Sequence, residues 1–273
     1  MKTSLSVRIA ESFSNKEEST MSFEEIVDLA TSVGFEAICM RASQAGIDTP
    51  RAQLDERRTV LSTAGLPVSM VTGDFAVPRN DEHGPEGLRN ITPYLDLAAF
   101  FDTDLIRVCM MLDEDIPWAQ HAADEARERG IRLAHQSHCC SLFETVEGSV
   151  RVLEAVDRPN FGLIYEPANW MMSRQDYIAA IDTVRPWIFN VYVQNHRLNE
   201  NGTDRLKTWE QGPVGFDHIG LWNEGGVEYE RVIDALHAIE YHGFVTVHQA
   251  FAGIMSPAKA ARRSHEYLRT LDP

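Results

Sequence analysis

The chain alternates short apolar, β-branched runs with amphipathic stretches along its whole length. Runs of this kind are typical of strands that are buried on both faces of a sheet. The eight runs are residues 5–9, 36–40, 67–71, 105–111, 131–136, 161–166, 188–195 and 244–249. Repeated alternation of strand and helix requires parallel strands with right-handed crossovers, which leaves few folds open to this chain.

Helix ends are marked by specific residues between these strands. Ser22 is placed to cap a helix over residues 23–33, with Glu25 three positions on completing a capping box and Gly34 at the C-terminal end. The same helix-then-glycine ending recurs before Gly65, Gly130 and Gly243. Each ending is expected to return the chain to a strand.

The closed form of eight strand–helix units is a (β/α)8 TIM barrel, an α/β fold of about 250 residues, which suits this chain of 273. An open, doubly wound sheet is the alternative. Neither GxGxxG nor GxxxxGK follows the first strand, so we expect no nucleotide cofactor. We find no linker, repeat or low-complexity segment, and we therefore predict one domain over residues 1–273.

Composition restricts the partners that this chain can have. A formal charge of −16 and a pI near 5.0 repel phosphate backbones, which argues against nucleic acid and favours an uncharged or weakly charged small substrate. No run approaches the length of a membrane span or of a signal peptide, so we expect a cytoplasmic protein without a membrane partner. The four cysteines lack CxxC spacing and are expected to be buried thiols.

Four of the predicted strands end in polar side chains: Gln136, Glu166, Tyr192 and His248. Polar groups at the ends of apolar strands are costly unless they converge on a ligand, a metal or each other. The carboxyl ends of barrel strands meet at one face, where the active sites of such barrels lie. The sequence therefore predicts a pocket at that face.

Further polar and aromatic residues lie close to these strand ends. The two-residue period of a strand places Gln194 on the same inward face as Tyr192, and His138 on the face of Gln136. Arg107 lies inside an apolar strand, so we expect it either to anchor substrate oxygens or to pair with Glu166. The residues predicted to bind substrate are Arg107, Trp170, Tyr192, Gln194, Asn195 and His196.

The longest stretch without a strand or helix pattern runs from residue 196 to about 226. Loops of this length are usually functional or disordered, and one that follows a barrel strand lies on the active-site face. We interpret this stretch as a candidate lid that carries Trp209 and Trp222. A surface excursion with incidental turns is the alternative.

Five segments, taken together, resemble the xylose isomerase-like TIM barrels, a superfamily of sugar isomerases, epimerases and dehydratases. They are GFEAI, GIRLAHQSH, FGLIYEPANW, FNVYVQN and GGVEYERVIDALHAIEYHGFVTVH, in order along nearly the whole chain. The YEPAN segment is similar to the family's Asp-Pro-x-Asn turn. The resemblance implies a divalent metal held by Glu, Asp, His and Glu from strands five to eight.

This sequence departs from all four of those implied ligands. Gln136 stands at the first Glu, Glu166 at the Asp, Tyr192 at the His, and His248 at the last Glu. Gln136, Glu166 and His248 can still bind a divalent metal such as Mn, Zn, Co or Mg, although neutral ligands weaken the hold on a hard cation.

We predict an enzyme in which a metal or amide donors polarise a carbonyl while His138 or His248, with Glu166, moves the adjacent proton. Return of the proton makes the enzyme an isomerase or epimerase of a small keto-sugar or polyol. Loss of a β-oxygen instead makes it a lyase, and a non-catalytic sugar-binding protein is the third possibility. A homo-oligomer is possible.

Overall fold

A computed structural model describes residues 1–11, 16–72, 82–251 and 254–272. Eight parallel strands close into a barrel, and helices surround it. The barrel strands are β1 Lys2–Ser6, β2 Ala37–Met40, β3 Val68–Thr72, β4 Leu105–Val108, β5 Arg132–Gln136, β6 Phe161–Tyr165, β7 Ile188–Val193 and β11 Phe244–Val247. The barrel closes where β1 pairs with both β2 and β11. The predicted (β/α)8 barrel is confirmed, and the open sheet is wrong.

The described helices occupy the outside of the barrel and the loops at its rim. They are α1 Phe23–Val33, α2 Arg51–Ala64, α3 Glu86–Arg89, α4 Thr92–Phe100, α5 Ile116–Glu128, α6 Val146–Val156, α7 Pro167–Met172, α8 Ala180–Val184, α9 Tyr229–Ala238 and α10 Pro257–Leu271. Single turns of 3₁₀ helix occur at Val7–Ala10, Asp113–Asp115 and Arg185–Trp187. Within the described ranges, no helix combines the length and apolar character that crossing a membrane requires.

The capping signals act as the sequence predicted. Ser22 Oγ accepts from the Glu25 amide at 3.2 Å, and the Glu25 carboxylate accepts from the Ser22 amide at 2.8 Å. Gly34 ends α1 in the left-handed region at φ 101°. The ending before Gly243 is different, because α9 stops at Ala238 and Glu240 takes the left-handed conformation at φ 56°.

The first strand ends earlier than predicted. β1 stops at Ser6, whose hydroxyl caps the 3₁₀ turn Val7–Ala10 by accepting from the Arg8 amide at 3.2 Å. The prediction of a strand over residues 5–9 placed Arg8 within the sheet. The turn instead brings Arg8 to the rim.

A layer of buried side chains fills the barrel interior. It consists of Cys39, Met70, Leu105, Ala134, Ile164 and Tyr192. A second, larger apolar cluster lies between the barrel and the helices. Because the layer closes the interior, a ligand site can lie only above it, at the carboxyl ends of the strands.

The stretch after β7 is not irregular, which corrects the prediction. It forms a three-stranded antiparallel sheet, the rim sheet, with strands β8 Asn195–Leu198, β9 Asp204–Thr208 and β10 Gly212–Ile219 in the order β8-β10-β9. Val214 and Phe216 pack with Cys139 and Met172 from the barrel rim. The rim sheet therefore covers part of the carboxyl face.

A buried carboxylate fastens the rim sheet to the loop after β5. Glu144 accepts from the backbone amides of Trp209 at 2.9 Å and Glu210 at 2.8 Å, in the turn between β9 and β10. Trp209 itself is half exposed, and Trp222 stacks on Phe251 with ring centroids 6.3 Å apart. Neither tryptophan lines the cavity at the carboxyl ends of the barrel strands. The lid function of this segment stays a prediction.

Candidate active site

A small cavity of about 110 Å³ lies at the carboxyl ends of the barrel strands, beneath the rim sheet. Six residues named from the sequence line it: Arg107, Gln136, His138, Gln194, His196 and His248. Of the four strand-end residues predicted to converge, Gln136 and His248 line the cavity, whereas Glu166 and Tyr192 do not. The other lining residues are Arg8, Lys16, Arg41, Asn169, Leu206 and Phe216, of which the sequence had marked only Arg41, as a charge that directly follows a strand.

Glu166 lies behind the residues that line the cavity and does not line it itself. Its side chain has no exposed surface, and its two carboxylate oxygens accept hydrogen bonds from the amide nitrogens of Gln136 and Gln194. Burial raises the pKa of Glu166 to about 7, and the two amides oppose that rise. In this position Glu166 contacts the two amides that line the cavity, and the direct proton transfer expected of it stays a prediction.

Arg107 resolves one of the alternatives left open by the sequence. Its Nε donates to Oε1 of Gln136 at 2.9 Å, and its side chain lines the cavity. Gln136 in turn donates to Glu166. Arg107 thus reaches Glu166 through the intervening amide, and its contact with substrate oxygens stays a prediction.

His248 is held between a hydroxyl and a guanidinium. Its Nδ1 lies 3.1 Å from Ser6 Oγ, its Nε2 lies 3.5 Å from Nη1 of Arg41, and its ring stacks on Tyr192 at 3.8 Å. A guanidinium can only donate, so Nε2 is the acceptor and Nδ1 carries the hydrogen. Burial and the positive charge of Arg41 hold the pKa of His248 well below its usual value. The ring is therefore neutral, and its lone pair on Nε2 faces the Arg41 guanidinium.

His138 is assigned the same tautomer as His248. Its Nδ1 lies 2.7 Å from the carbonyl oxygen of Cys139, so Nδ1 carries the hydrogen and Nε2 keeps the lone pair. Burial lowers the pKa of His138 to about 3. The low pKa keeps the ring neutral and makes it a weak base, and what distinguishes it from His248 is that its lone pair is not directed to Arg41.

Three of the residues predicted to bind substrate lie outside the cavity. Tyr192 belongs to the interior layer, with its hydroxyl 3.4 Å from Cys39 Sγ, and Trp170 is buried and donates to the Phe143 carbonyl at 3.1 Å. The Asn195 side chain accepts from the Val227 amide at 2.8 Å and anchors the loop after β10. The polar group of each is bonded inside the protein, and substrate contact by these three stays a prediction.

His196, by contrast, does line the cavity. Its ring packs against Phe216 with centroids 4.7 Å apart, and its Nδ1 is buried without a hydrogen-bond partner among the described atoms. Burial keeps the pKa of His196 well below its usual value. It contributes a neutral, partly apolar wall on the side of the rim sheet.

The cavity is rich in cations although the whole chain is acidic. The cationic side chains that line it are Arg8, Lys16, Arg41 and Arg107. Glu11 is buried beside them, accepting from Arg41 Nε at 3.1 Å and from Arg8 Nη1 at 3.2 Å. From the net charge of the whole chain we predicted an uncharged or weakly charged substrate. A ligand in the cavity responds to the charges that surround it there, and these are cationic, which favours an anion.

These donors do not fit a divalent metal. Gln136 Oε1 accepts from Arg107, both Glu166 oxygens accept from amides, and His248 Nε2 lies against Arg41. Burial raises the pKa of the Tyr192 phenol well above its usual value, so it offers no anionic ligand. Within the described part of the chain, no three His, Cys, Asp or Glu side chains come together as a metal site would require. The ligand set predicted from Gln136, Glu166 and His248 is not assembled.

The chain belongs to the xylose isomerase-like TIM barrel family, whose family model matches residues 27–271. An inosose dehydratase of Lactiplantibacillus plantarum is 22% identical over 227 residues, covering 82% of this chain and 71% of that protein. The resemblance noted in the sequence is therefore confirmed.

Solved structures of similar fold cover nearly the whole chain. The probable 3-DHS dehydratase AsbF of Bacillus anthracis is 18% identical with a TM-score of 0.73, covering 98% of this chain and 99% of that one. A D-psicose 3-epimerase is 15% identical with a TM-score of 0.72, covering 99% of both chains. A Mycobacterium smegmatis protein in complex with magnesium is 18% identical with a TM-score of 0.70, covering 99% and 96%. At these identities the likenesses establish the fold alone.

Proposed function

We propose that this protein is a carbon–oxygen lyase that removes water from a small β-hydroxy ketone of the sugar or polyol class. The observation that carries the proposal is the one well-placed base among the described residues that line the cavity. His138 presents an unprotonated Nε2 because its Nδ1 is bonded to the Cys139 carbonyl. Cationic side chains line the same cavity, where they can stabilise the negative charge that develops on a carbonyl oxygen.

The proposed reaction needs only this one base. Nε2 of His138 takes the proton from the carbon beside the carbonyl, and the electron pair moves to the carbonyl oxygen, which the cationic lining of the cavity stabilises. The enolate then re-forms the ketone and expels the β-hydroxyl, which receives the same proton from the His138 imidazolium. One C–H bond and one C–O bond break, a C=C bond forms, and the products are an enone and water.

The same residues argue against two-base epimerisation. That reaction needs a second proton carrier on the opposite face of the substrate. Gln136 has no accessible pKa for this task, and the lone pair of His248 is directed to Arg41. An elimination in which one group removes and returns the proton fits the groups that remain.

An enzyme of the isomerase, epimerase or carbon–oxygen lyase class was predicted from the sequence, and the inosose dehydratase relatives support this class. The choice of dehydration is supported by the inosose dehydratase, which aligns over most of the chain. Metal chemistry, which the resemblance implied, has no place in the proposed steps because the donors present do not fit a metal ion.

The test is incubation of the purified protein with an inosose and, separately, with 3-DHS, monitored by the change in ultraviolet absorbance and by mass spectrometry for loss of one water. We expect turnover of at least one compound, and we expect His138→Gln to lower kcat by about 10²–10⁴-fold. His121→Gln, an exposed histidine on α5, is the matched control and should keep full activity.

Two outcomes would overturn the proposal. Incorporation of deuterium from D₂O into recovered substrate, with no loss of water, would indicate an isomerase or epimerase. Ligand binding without exchange or turnover of either compound would indicate a sugar-binding protein without catalytic function.

A further inference from the structure

We infer that the position of the family's metal has become an anion site in this chain, at which Arg41 and Arg107 bind a carboxylate or phosphate group of the substrate. This inference rests on the proposed function in that it names the substrate class of the same cavity. It goes beyond that function because it assigns the ligand's charged group and the residues that hold it.

The first support is where the two guanidinium groups lie. Arg107 Nε bonds the Oε1 of Gln136 at 2.9 Å, and Arg41 Nη1 lies 3.5 Å from Nε2 of His248. Gln136 and His248 stand where the family resemblance implies carboxylate ligands. The arginines therefore contact the side chains that would otherwise hold a cation, and both line the cavity. A guanidinium fork matches the spacing of carboxylate and phosphate oxygens.

The second support is the crowding of like charge. Lys16 and Arg8 line the same cavity of about 110 Å³ as Arg41 and Arg107. Burial, followed by the charge of Arg41, lowers the pKa of Arg8 to about 10, so the cations destabilise one another's charged forms. An anionic ligand relieves this repulsion, a neutral polyol leaves it, and a divalent cation adds to it.

The third support is the accompanying carboxylate. Glu11 bridges Arg8 and Arg41, with Ser43 Oγ donating to the same carboxylate at 2.5 Å. These bonds fix the Arg41 side chain at the cavity wall before any ligand arrives. A preorganised guanidinium loses less conformational entropy when it binds an oxyanion.

The experiment measures binding without turnover. Calorimetric titrations use quinate, a cyclic polyol that carries a carboxylate, and myo-inositol, a neutral cyclic polyol, as a matched pair. Quinate should bind about tenfold or more tightly, the difference expected for a charge-assisted hydrogen bond. Inorganic phosphate is titrated in parallel. Tighter binding of phosphate than of quinate would assign the group as a phosphoryl, and the reverse would assign it as a carboxylate, so either result supports an oxyanion site.

The variant pair is Arg107→Gln and Arg132→Gln. Arg132 lies on the neighbouring strand but points to the outer surface, where its guanidinium pairs with Asp104 at 2.9 Å. Arg107→Gln should weaken anion binding about tenfold, while Arg132→Gln should leave it unchanged. If Arg107→Gln does not fold, Lys16→Gln tests the same cation cluster from a less buried position, with a smaller expected loss.

Elemental analysis after dialysis completes the test. We expect less than stoichiometric divalent metal, and no calorimetric binding of Mn²⁺ by chelator-treated protein. Myo-inositol binding as tightly as quinate and phosphate, or one tightly bound Mn²⁺ per chain, would overturn the inference. Either result is compatible with dehydration of a neutral ketone, so the anion site can fail while the lyase stands. Anion binding without turnover would support the anion site and count against the lyase.

Discussion

Nη1 of Arg41 lies 3.5 Å from Nε2 of His248, the histidine that follows the last barrel strand. A permanently charged donor therefore faces the lone pair of this imidazole. This contact joins residues that are 207 positions apart in the chain. It separates the roles of His248 and His138, which the sequence alone leaves equivalent.

Removal of that guanidinium should change the titration of His248. Burial and then Arg41 lower the pKa of His248. Arg41→Met removes the second cause and leaves the first, so we expect the pKa to rise yet stay below its ordinary value. The imidazole resonances in NMR spectra recorded against pH report the change. Arg51→Met, on the exposed face of α2, is the control, and an unshifted His248 in Arg41→Met would contradict the assigned contact.

Glu11 should contribute far more to stability than an exposed acidic residue. Its carboxylate is buried against Arg41 and Arg8, so Glu11→Gln removes a buried negative charge that both guanidinium groups contact. We expect the free energy of unfolding in urea to fall by about 3–5 kcal/mol. Asp55→Asn, which breaks an exposed pair with Arg51, should cost less than about 1 kcal/mol. Equal losses in the two variants would refute the buried network.

The buried carboxyl of Glu166 should make stability depend on pH. Its pKa is raised from 4.5 to about 7, chiefly by burial. A raised pKa in the folded state contributes stability that is fully present below 4.5 and is lost as the pH rises through about 7. Between about pH 5 and pH 8, wild-type protein should lose about 2 kcal/mol relative to Glu166→Gln.

Urea unfolding of both proteins at the two pH values measures this difference. Glu114→Gln, an exposed replacement, serves as the control and should run parallel to wild type. A wild-type curve parallel to that of Glu166→Gln would mean that Glu166 titrates as in the unfolded chain.

Glu144 should control the attachment of the rim sheet. Its carboxylate accepts from the Trp209 and Glu210 amides, so Glu144→Ala leaves the turn between β9 and β10 without its anchor. We expect faster hydrogen exchange across residues 204–212 while the barrel strands keep their protection. Glu147→Ala, an exposed change on α6, should leave the exchange pattern intact. Uniform loss of protection in Glu144→Ala would mean that the rim sheet and barrel open together.

The sequence alone predicted the barrel because its signals are local. Strand periodicity, the Ser22–Glu25 capping box and the glycine helix ends each depend on residues a few positions apart. The same locality explains the errors. The turn that ends β1 depends on the Ser6 hydroxyl, and the rim sheet depends on cross-strand pairs such as His196 with His218, which no local period shows.

The sequence by itself determined that polar side chains stand at the carboxyl ends of strands five to eight. Their partners were decided by closure of the barrel, which brings Ser6, Arg41 and His248 from three adjacent strands to one rim. Closure also buries Glu166 behind two amides and gathers cations from distant segments of an acidic chain. Hydrogen-bond direction and local charge depend on which side chains lie close together in space. For this reason only the tertiary structure could replace the predicted metal site by a cationic cavity, in which one described base is available.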